Sequence, residues 1–327
     1  MRKFSALIAL FAPLLWITWG WQPVPTADSH AQVRVEDLTP GVAAAERTAL
    51  GPFRLDRLWR LSADHRRFGG YSALVPLDSG ELLAISDRNA WIRIAEPLRP
   101  GRTRWPIGRL IARRGSKGLD FGFDVEAAVR DSTDGSLWLG LEKEWHVARI
   151  GPQPARLRFT GIRALRTWPE NGGAEAMTRL NDGRWVLLCE SCDSGGAHIG
   201  LAFAGRPGQS AMQRFAIILP AGFDPVDMAP LPDGRVLILT RKLELFPPRF
   251  VSRIVLADMA RLDASRPLAT RELARIEGAS VRENYEGMAI RADGRSRVTV
   301  WLIADANDTA FQETRLMQLS LDPAALP

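Results

Sequence analysis

"RENYEGMAIRADGR", residues 282–295, sets an acidic residue ahead of a short apolar run and closes that run with Asp-Gly. The same cadence stands in "GFDVEAAVRDSTDGS" (122–136) and "NGGAEAMTRLNDGR" (171–184). With variation it returns in "FGGYSALVPLDSGELLAISDR" (68–88) and "GFDPVDMAPLPDGRVLILTRK" (222–242). Aligned on the leading position, the anchors are Ser72, Glu126, Glu175, Asp227 and Glu286. They recur about every 50 residues, the mark of an array of supersecondary units.

The turns read "DSGE", "TDGS", "NDGR", "PDGR" and "ADGR". Asp-Gly between β-rich runs predicts a tight hairpin, because glycine takes the positive φ that such turns require. The strands that follow, "LLAISD", "LWLGLE", "WVLLCE", "VLILTR" and "VTVWLIAD", are nearly continuous apolar runs. A strand covered on both faces has that pattern. No long stretch keeps a 3.6-residue period free of Gly and Pro, so helices are not expected to carry the fold. The expected class is all-β: a β-propeller of about four-stranded blades, five counted and a sixth left open. The last unit runs out near Leu321 with three strands. "LGPFRLDRLWRLSA" (50–63) is expected to supply the fourth and close the ring.

At 327 residues the chain is long enough for one large domain. The expected layout is a leader over 1–31, a linker over 32–49 and a single propeller domain over 50–327. "MRKFSALIALFAPLLWITWGW" places Arg2 and Lys3 before an apolar stretch, Phe4–Trp21, and "QPVPTADSHAQ" follows with small residues. That is the layout of a secretory signal peptide, with an uncleaved N-terminal anchor as the alternative. A periplasmic or secreted protein is expected, with no second span. Lys and Arg number 43 against 37 Asp and Glu, but the positive charges are scattered and form no stripe. Nucleic acid is therefore not an expected partner, and a monomer is expected. Cys189 and Cys192, in "LLCESCDSGG", read as a disulfide in an oxidising compartment; free thiols or a redox or metal pair are the alternatives.

On a ring, the anchors converge on one mouth, and the strand-end residues Asp87, Glu142, Glu190, Arg241 and Asp305 come beside them. The expected carboxylate set is Asp87, Glu126, Glu142, Glu175, Glu190, Asp227, Glu286 and Asp305. Carboxylates crowded in this way invite a hard cation such as Ca²⁺, or acquire raised pKa values suited to acid–base work. Glu126, Glu175 and Glu286, with His146 near the rim, are the candidate catalytic groups. Arg88, Lys143 and Arg241 are candidates for holding a small anionic or ester substrate. The plainer alternative is that acids at these turns tie backbone N–H groups and keep the units in register. No G-x-S-x-G, H-E-x-x-H or P-loop pattern occurs. Most tryptophans are expected to pack between blades, with Trp145 close to the rim.

The stretches "FGGYSALVPLDSGELLAISDR", "DVEAAVRDSTDGSLWLGLEKE", "GAEAMTRLNDGRWVLLCE" and "NYEGMAIRADG" resemble the "esterase-like activity of phytase" family of exported bacterial propellers. The resemblance covers about 68 to 305 and implies a propeller, export, and hydrolysis of phosphate or carboxylic esters, with Ca²⁺ as the candidate cofactor. Ser72 at the first anchor and Arg241 at the fourth strand end depart from the acidic pattern. A gluconolactonase-like lactone hydrolase and a non-catalytic envelope propeller that binds a ligand or partner protein are the alternatives, since fold alone does not decide function.

Overall fold

The computed structural model describes residues 29–110, 123–151, 157–169, 173–193, 196–293, 296–306 and 312–327. The expected leader lies outside them except for Ser29–Ala31. The chain is all-β. It begins with β1 (His30–Asp37), a short helix α1 (Ala44–Ala49) and β2 (Arg54–Ala63). Four strands per repeat follow. Unit one holds β3 (Tyr71–Pro76), β4 (Leu82–Ser86), β5 (Ala90–Ile94) and β6 (Gly101–Arg109). Unit two holds β7 (Val125–Arg130), β8 (Leu137–Leu141), β9 (His146–Ile150) and β10 (Leu157–Gly161). Unit three holds β11 (Ala174–Arg179), β12 (Trp185–Cys189), β13 (His198–Phe203) and β14 (Met212–Ile217). Unit four holds β15 (Asp224–Pro230), β16 (Val236–Leu245), β17 (Pro248–Ala257) and β18 (Thr270–Ile276). Unit five holds β19 (Tyr285–Asp293), β20 (Arg297–Ala304) and β21 (Arg315–Leu321), and β2 pairs with β21 as its outer strand. The segment 50–63 thus fills the place the sequence reserves for it.

Units two, three and four are separate four-stranded antiparallel sheets. Units five and one are joined into one sheet of nine because β1 lies between their outer strands, β2 and β6. The linker expected over 32–49 is therefore structural: Val33 and Val35 are buried in β1, and Glu46 of α1 accepts a 2.9 Å hydrogen bond from the Ser280 N–H. The first strands touch in a closed cycle, β3 on β7, β7 on β11, β11 on β15, β15 on β19, and β19 back on β3.

The Asp-Gly turns form for the reason their sequence gives. Gly80, Gly135, Gly183 and Gly234 take φ of +82°, +72°, +90° and +92°, a region costly for a residue with a Cβ. Asp134, Asp182 and Asp233 each accept from the backbone N–H two residues on, at 2.9, 3.0 and 3.0 Å, which locks the turn. The glycine of the fifth turn lies outside the described residues.

Five apolar clusters fill the spaces between units. One joins Ala73, Val75 and Ile85 to Val125, Leu139 and Leu141. The next sets Trp138 of unit two against Trp185 of unit three, ring centroids 5.2 Å apart. Two more join units three to four and four to five, and the last sets Trp301 of unit five with Tyr71, Leu74 and Ile92 of unit one. Each fully buried large side chain contributes roughly 1.5–3 kcal/mol, so no sheet is stable without its neighbours. Among the described residues no helix is long and apolar enough to cross a membrane.

Candidate functional site

Strand register aligns the five units residue by residue. In each, a β-bulge interrupts the pairing of the first two strands, and the bulged residues are Ser72, Glu126, Glu175, Val226 and Glu286. Bulges re-aim side chains and are common beside active sites. Two residues earlier stand Gly70, Asp124, Gly173, Asp224 and Asn284. Opposite them are Asp87, Glu142, Glu190, Arg241 and Asp305, joined to them by ladder or backbone hydrogen bonds. Three layers of equivalent positions thus meet at one mouth of the ring.

The alignment corrects one anchor. Val226, not Asp227, occupies the fourth bulge. Asp227 stands one place further, where the other units carry Ala73, Ala127, Ala176 and Gly287. Its buried carboxylate accepts hydrogen bonds from the Met228 N–H at 2.7 Å and the Met288 N–H at 2.6 Å. It ties unit four to unit five and does not join the carboxylates of the mouth. Ser72 does similar work between units one and two, donating to the Val125 carbonyl at 2.5 Å.

The other expected carboxylates do converge. Arg241 lies among them, donating to Glu190 at 2.7 Å, to Asn284 at 3.0 Å and to Glu286. Burial disfavours its charge, but Glu286 and Glu190 outweigh that and raise its pKa. Glu286 also accepts from the Asn284 amide at 2.9 Å. Burial pushes the Glu286 carboxyl up, with Arg241 and Asn284 opposing. Glu126 and Glu175 differ, because no hydrogen bond or ion pair holds either carboxylate among the described residues. Burial drives Glu126 well above the ordinary carboxylate value, and Glu175, Glu286, Asp124 and Asp87 push it further. Glu175, only 8% exposed, is driven well up by burial and by Glu190, while Arg241 opposes.

At the rim, Lys143 donates to Glu142 at 2.7 Å and to Asp124 at 3.1 Å, and Arg88 lies 3.5 Å from Asp87. Asp305 is buried at the end of β20. Asp124, Glu126 and Glu142 can each present an oxygen within 4.8 Å of the others, so this triad is able to hold a metal ion. Its donors are all carboxylate oxygens, which suit a hard cation, and Lys143 competes for two of them. His146 is set apart: its ring is tilted against that of Trp145, centroids 3.9 Å apart, and bonds Glu144 at 3.2 Å, and among the described residues no hydrogen bond or ion pair links it to Glu126, Glu175 or Glu286. Cys189 and Cys192 are disulfide-bonded, and the bridge encloses Glu190. His198, whose Nδ1 is 3.1 Å from the Glu190 carbonyl and which lies near Asp224, also reaches the mouth. The sequence alone assigns no role to this histidine, nor to Asp124, Asp224 or Asn284; each precedes or follows the repeated cadence rather than sitting in it.

A second opening leads into the ring from the Asp-Gly turns. It is a cavity of about 550 Å³ bordered by Leu74, Ala128, Met177, Met228 and Met288, with Asp227 in its wall.

Solved structures similar to this chain include glutaminyl cyclase from Myxococcus xanthus, 12% identical over 83% of this chain and 96% of that one, TM-score 0.48. The PQQ-bound aldose sugar dehydrogenase from Streptomyces coelicolor is 15% identical over 83% and 98%, TM-score 0.45. A gluconolactonase from Xanthomonas campestris is 11% identical over 90% and 97%, TM-score 0.42. Likeness this distant says nothing about chemistry. No curated protein matches the sequence. The model of the phytase-like family, described as esterase-like activity of phytase, matches residues 66–308, and the chain belongs to that family.

Proposed function

We propose that this protein is an exported hydrolase of carboxylic or phosphate esters, built as a five-bladed propeller and acting at its acidic mouth. The observation that carries this reading is the pair Glu126 and Glu175. These are two converging carboxylates, raised well above their ordinary pKa values and held by no ion pair among the described residues, beside a half-buried arginine. A carboxyl group poised in this way exchanges protons near working pH. Glu126 takes a proton from the attacking water as its oxygen bonds to the ester carbon or phosphorus. Protonated Glu175 gives one to the leaving alcohol oxygen as that bond breaks. Arg241, fixed by Glu190, Asn284 and Glu286, faces the charge that develops on the substrate. Lys143 and Arg88 draw anionic substrates to the rim.

Asp87, Asp124, Glu126, Glu142, Glu175, Glu190, Asp224, Glu286 and Asp305 outnumber Arg241, Lys143 and Arg88, and the surplus calls for protons or a cation. In the alternative, Ca²⁺-loaded form, Asp124, Glu126 and Glu142 would hold the ion, which would supply neutralisation of that charge and a Lewis acid for the substrate oxygen in place of Glu126 as base. Export rests on the charge and apolar pattern of the first residues. We place the end of any removed leader ahead of β1 rather than at Ala31, on the ground that Ala31 is buried in that strand opposite Trp105.

The test is hydrolysis of p-nitrophenyl acetate and p-nitrophenyl phosphate, with and without Ca²⁺. Glu126→Gln is expected to cost on the order of 10²–10⁴ in kcat while the fold survives. Saturating Ca²⁺ at a hundredfold excess over Kd is expected to stabilise the wild type by about 2.7 kcal/mol, and the variant by much less. A folded wild type that cleaves neither ester under any of these conditions would retire the hydrolase reading.

A further inference from the structure

In units one, two, three and five the second strand stops at the mouth, and the next residue is the strand-end acid. In unit four it does not stop. β16 runs through Arg241 to Leu245, and β17 returns from Pro248, with Leu245 paired to Pro248 and Arg241 to Ser252. At the rise of an antiparallel strand the four steps beyond Arg241 carry this hairpin about 13 Å past the mouth.

Strand alternation sorts its side chains. Arg241, Leu243 and Leu245 share one face with Ser252, Phe250 and Pro248 across the ladder. The Arg241 guanidinium lies 5.4 Å over the Phe250 ring. The opposite face carries Lys242, Glu244, Arg249 and Val251, and its charges are already engaged: Glu244 pairs with Arg249 at 2.5 Å, and Lys242 lies 5.8 Å over Phe223. The Arg241 face stands bare. Leu243 is 48% exposed, Leu245 60% and Phe246, at the tip, 95%. An apolar row therefore starts at the mouth's half-buried arginine and climbs away from it. Large apolar side chains left in water beside a polar site mark a binding surface.

We infer that this hairpin is the apolar arm of the substrate site. Given the hydrolase reading of the mouth, the substrate is an amphiphilic ester. Its polar head sits at Arg241 and the carboxylates, and its hydrocarbon chain lies along Leu243, Leu245 and Phe250. The sorting of the two faces favours a substrate chain over a membrane surface as the occupant. A hairpin that dips into lipid would be apolar on both faces at its tip, whereas here one face is ion-paired and the other continues into the site.

The experiment compares wild type with a double variant, Leu243→Ser and Leu245→Ser, in two readouts. The first is kcat/KM for p-nitrophenyl acetate, butyrate and octanoate. Wild type is expected to gain about two- to fourfold for each added methylene that the arm covers, and the variant's octanoate-to-acetate ratio is expected to fall tenfold or more. The second is calorimetric binding of octyl phosphate against ethyl phosphate, which needs no turnover. Selective loss of octyl phosphate binding in the variant upholds the arm even if wild type cleaves no ester, an outcome that would sink only the hydrolase reading. Equal rates along the ester series, unchanged in the variant, overturn the arm and leave the hydrolase standing. Adsorption of both proteins to phosphatidylglycerol vesicles is the control, and a difference between them confined to that control also overturns the arm.

Discussion

At the scale of single residues, the five units repeat a frame and vary what stands on it. The bulge position holds Glu126, Glu175 and Glu286 but also Ser72 and Val226, so that layer of the mouth is acidic in three units of the five. Asp227, one place along, has a different task, and its neighbours define the test. Asp227→Ala leaves the N–H groups of Met228 and Met288 buried without acceptors. At about 1–3 kcal/mol each, the variant should lose roughly 2–6 kcal/mol in urea unfolding, with its turnover per folded molecule unchanged. Glu175→Gln should behave in the opposite sense. The Glu175 carboxyl binds its proton more tightly folded than unfolded. Its contribution to stability is therefore fullest below the unfolded carboxylate value, and it declines as pH rises through the raised folded value. Carboxylates held low, such as Asp134, where Ser136 and Arg149 overcome the cost of burial, act the other way. The difference between variant and wild type isolates Glu175. That difference should be small near pH 4.5 and favour the variant by on the order of 1 kcal/mol at pH 8, measured as paired denaturation curves.

At the scale of elements, the hairpins were legible because Asp-Gly has a local mechanism: glycine supplies positive φ and aspartate caps the N–H two residues on. The strand-end acids were legible for the same reason, since a hairpin fixes which residues return to the rim. The fourth bulge was not, because a bulge adds a residue to one strand and Val226 stands next to an aspartate that mimics the repeat. β1 was missed although "HAQVRVED" alternates cleanly, with Ala31, Val33 and Val35 buried. A segment following a leader reads as a linker, and no sequence signal says that two distant edges wait for it. The length of the β16–β17 hairpin was not legible, because the repeat ends the second strand at Arg241 and the sequence beyond it has no counterpart in the other units. Within unit three, the Cys189–Cys192 bridge fixes the loop that carries Glu190, which anchors Arg241. Replacing both cysteines by serine closes no loop in the unfolded chain and should cost about 2 kcal/mol on loop entropy. It should also lower kcat by loosening Arg241. Thermal unfolding and turnover, with and without dithiothreitol, check both effects, and the variant should be blind to the reductant.

At the scale of the whole molecule, β1 is the staple between units five and one. A chain starting at Leu38 keeps every unit but leaves β2 and β6 as bare edges, which are templates for pairing between molecules. It should melt lower than the full chain and aggregate with time, followed by light scattering during a thermal ramp. The full chain should not.

The pairing of β2 with β21 also sets the order of events at the ribosome. Leu55 needs Leu319 and Arg60 needs Arg315, so the first-made part of the domain is completed by the last. At about 5–20 residues per second, β2 waits on the order of ten seconds or more for its partner to be synthesised. Glu126 and Glu175 exist as residues well before Glu286 does, yet they cannot face one another as a mouth until the circle shuts. A chain cut short by even one terminal strand is therefore not a weaker version of this protein. It is an open array with sticky edges, and quality-control proteases will meet it as such.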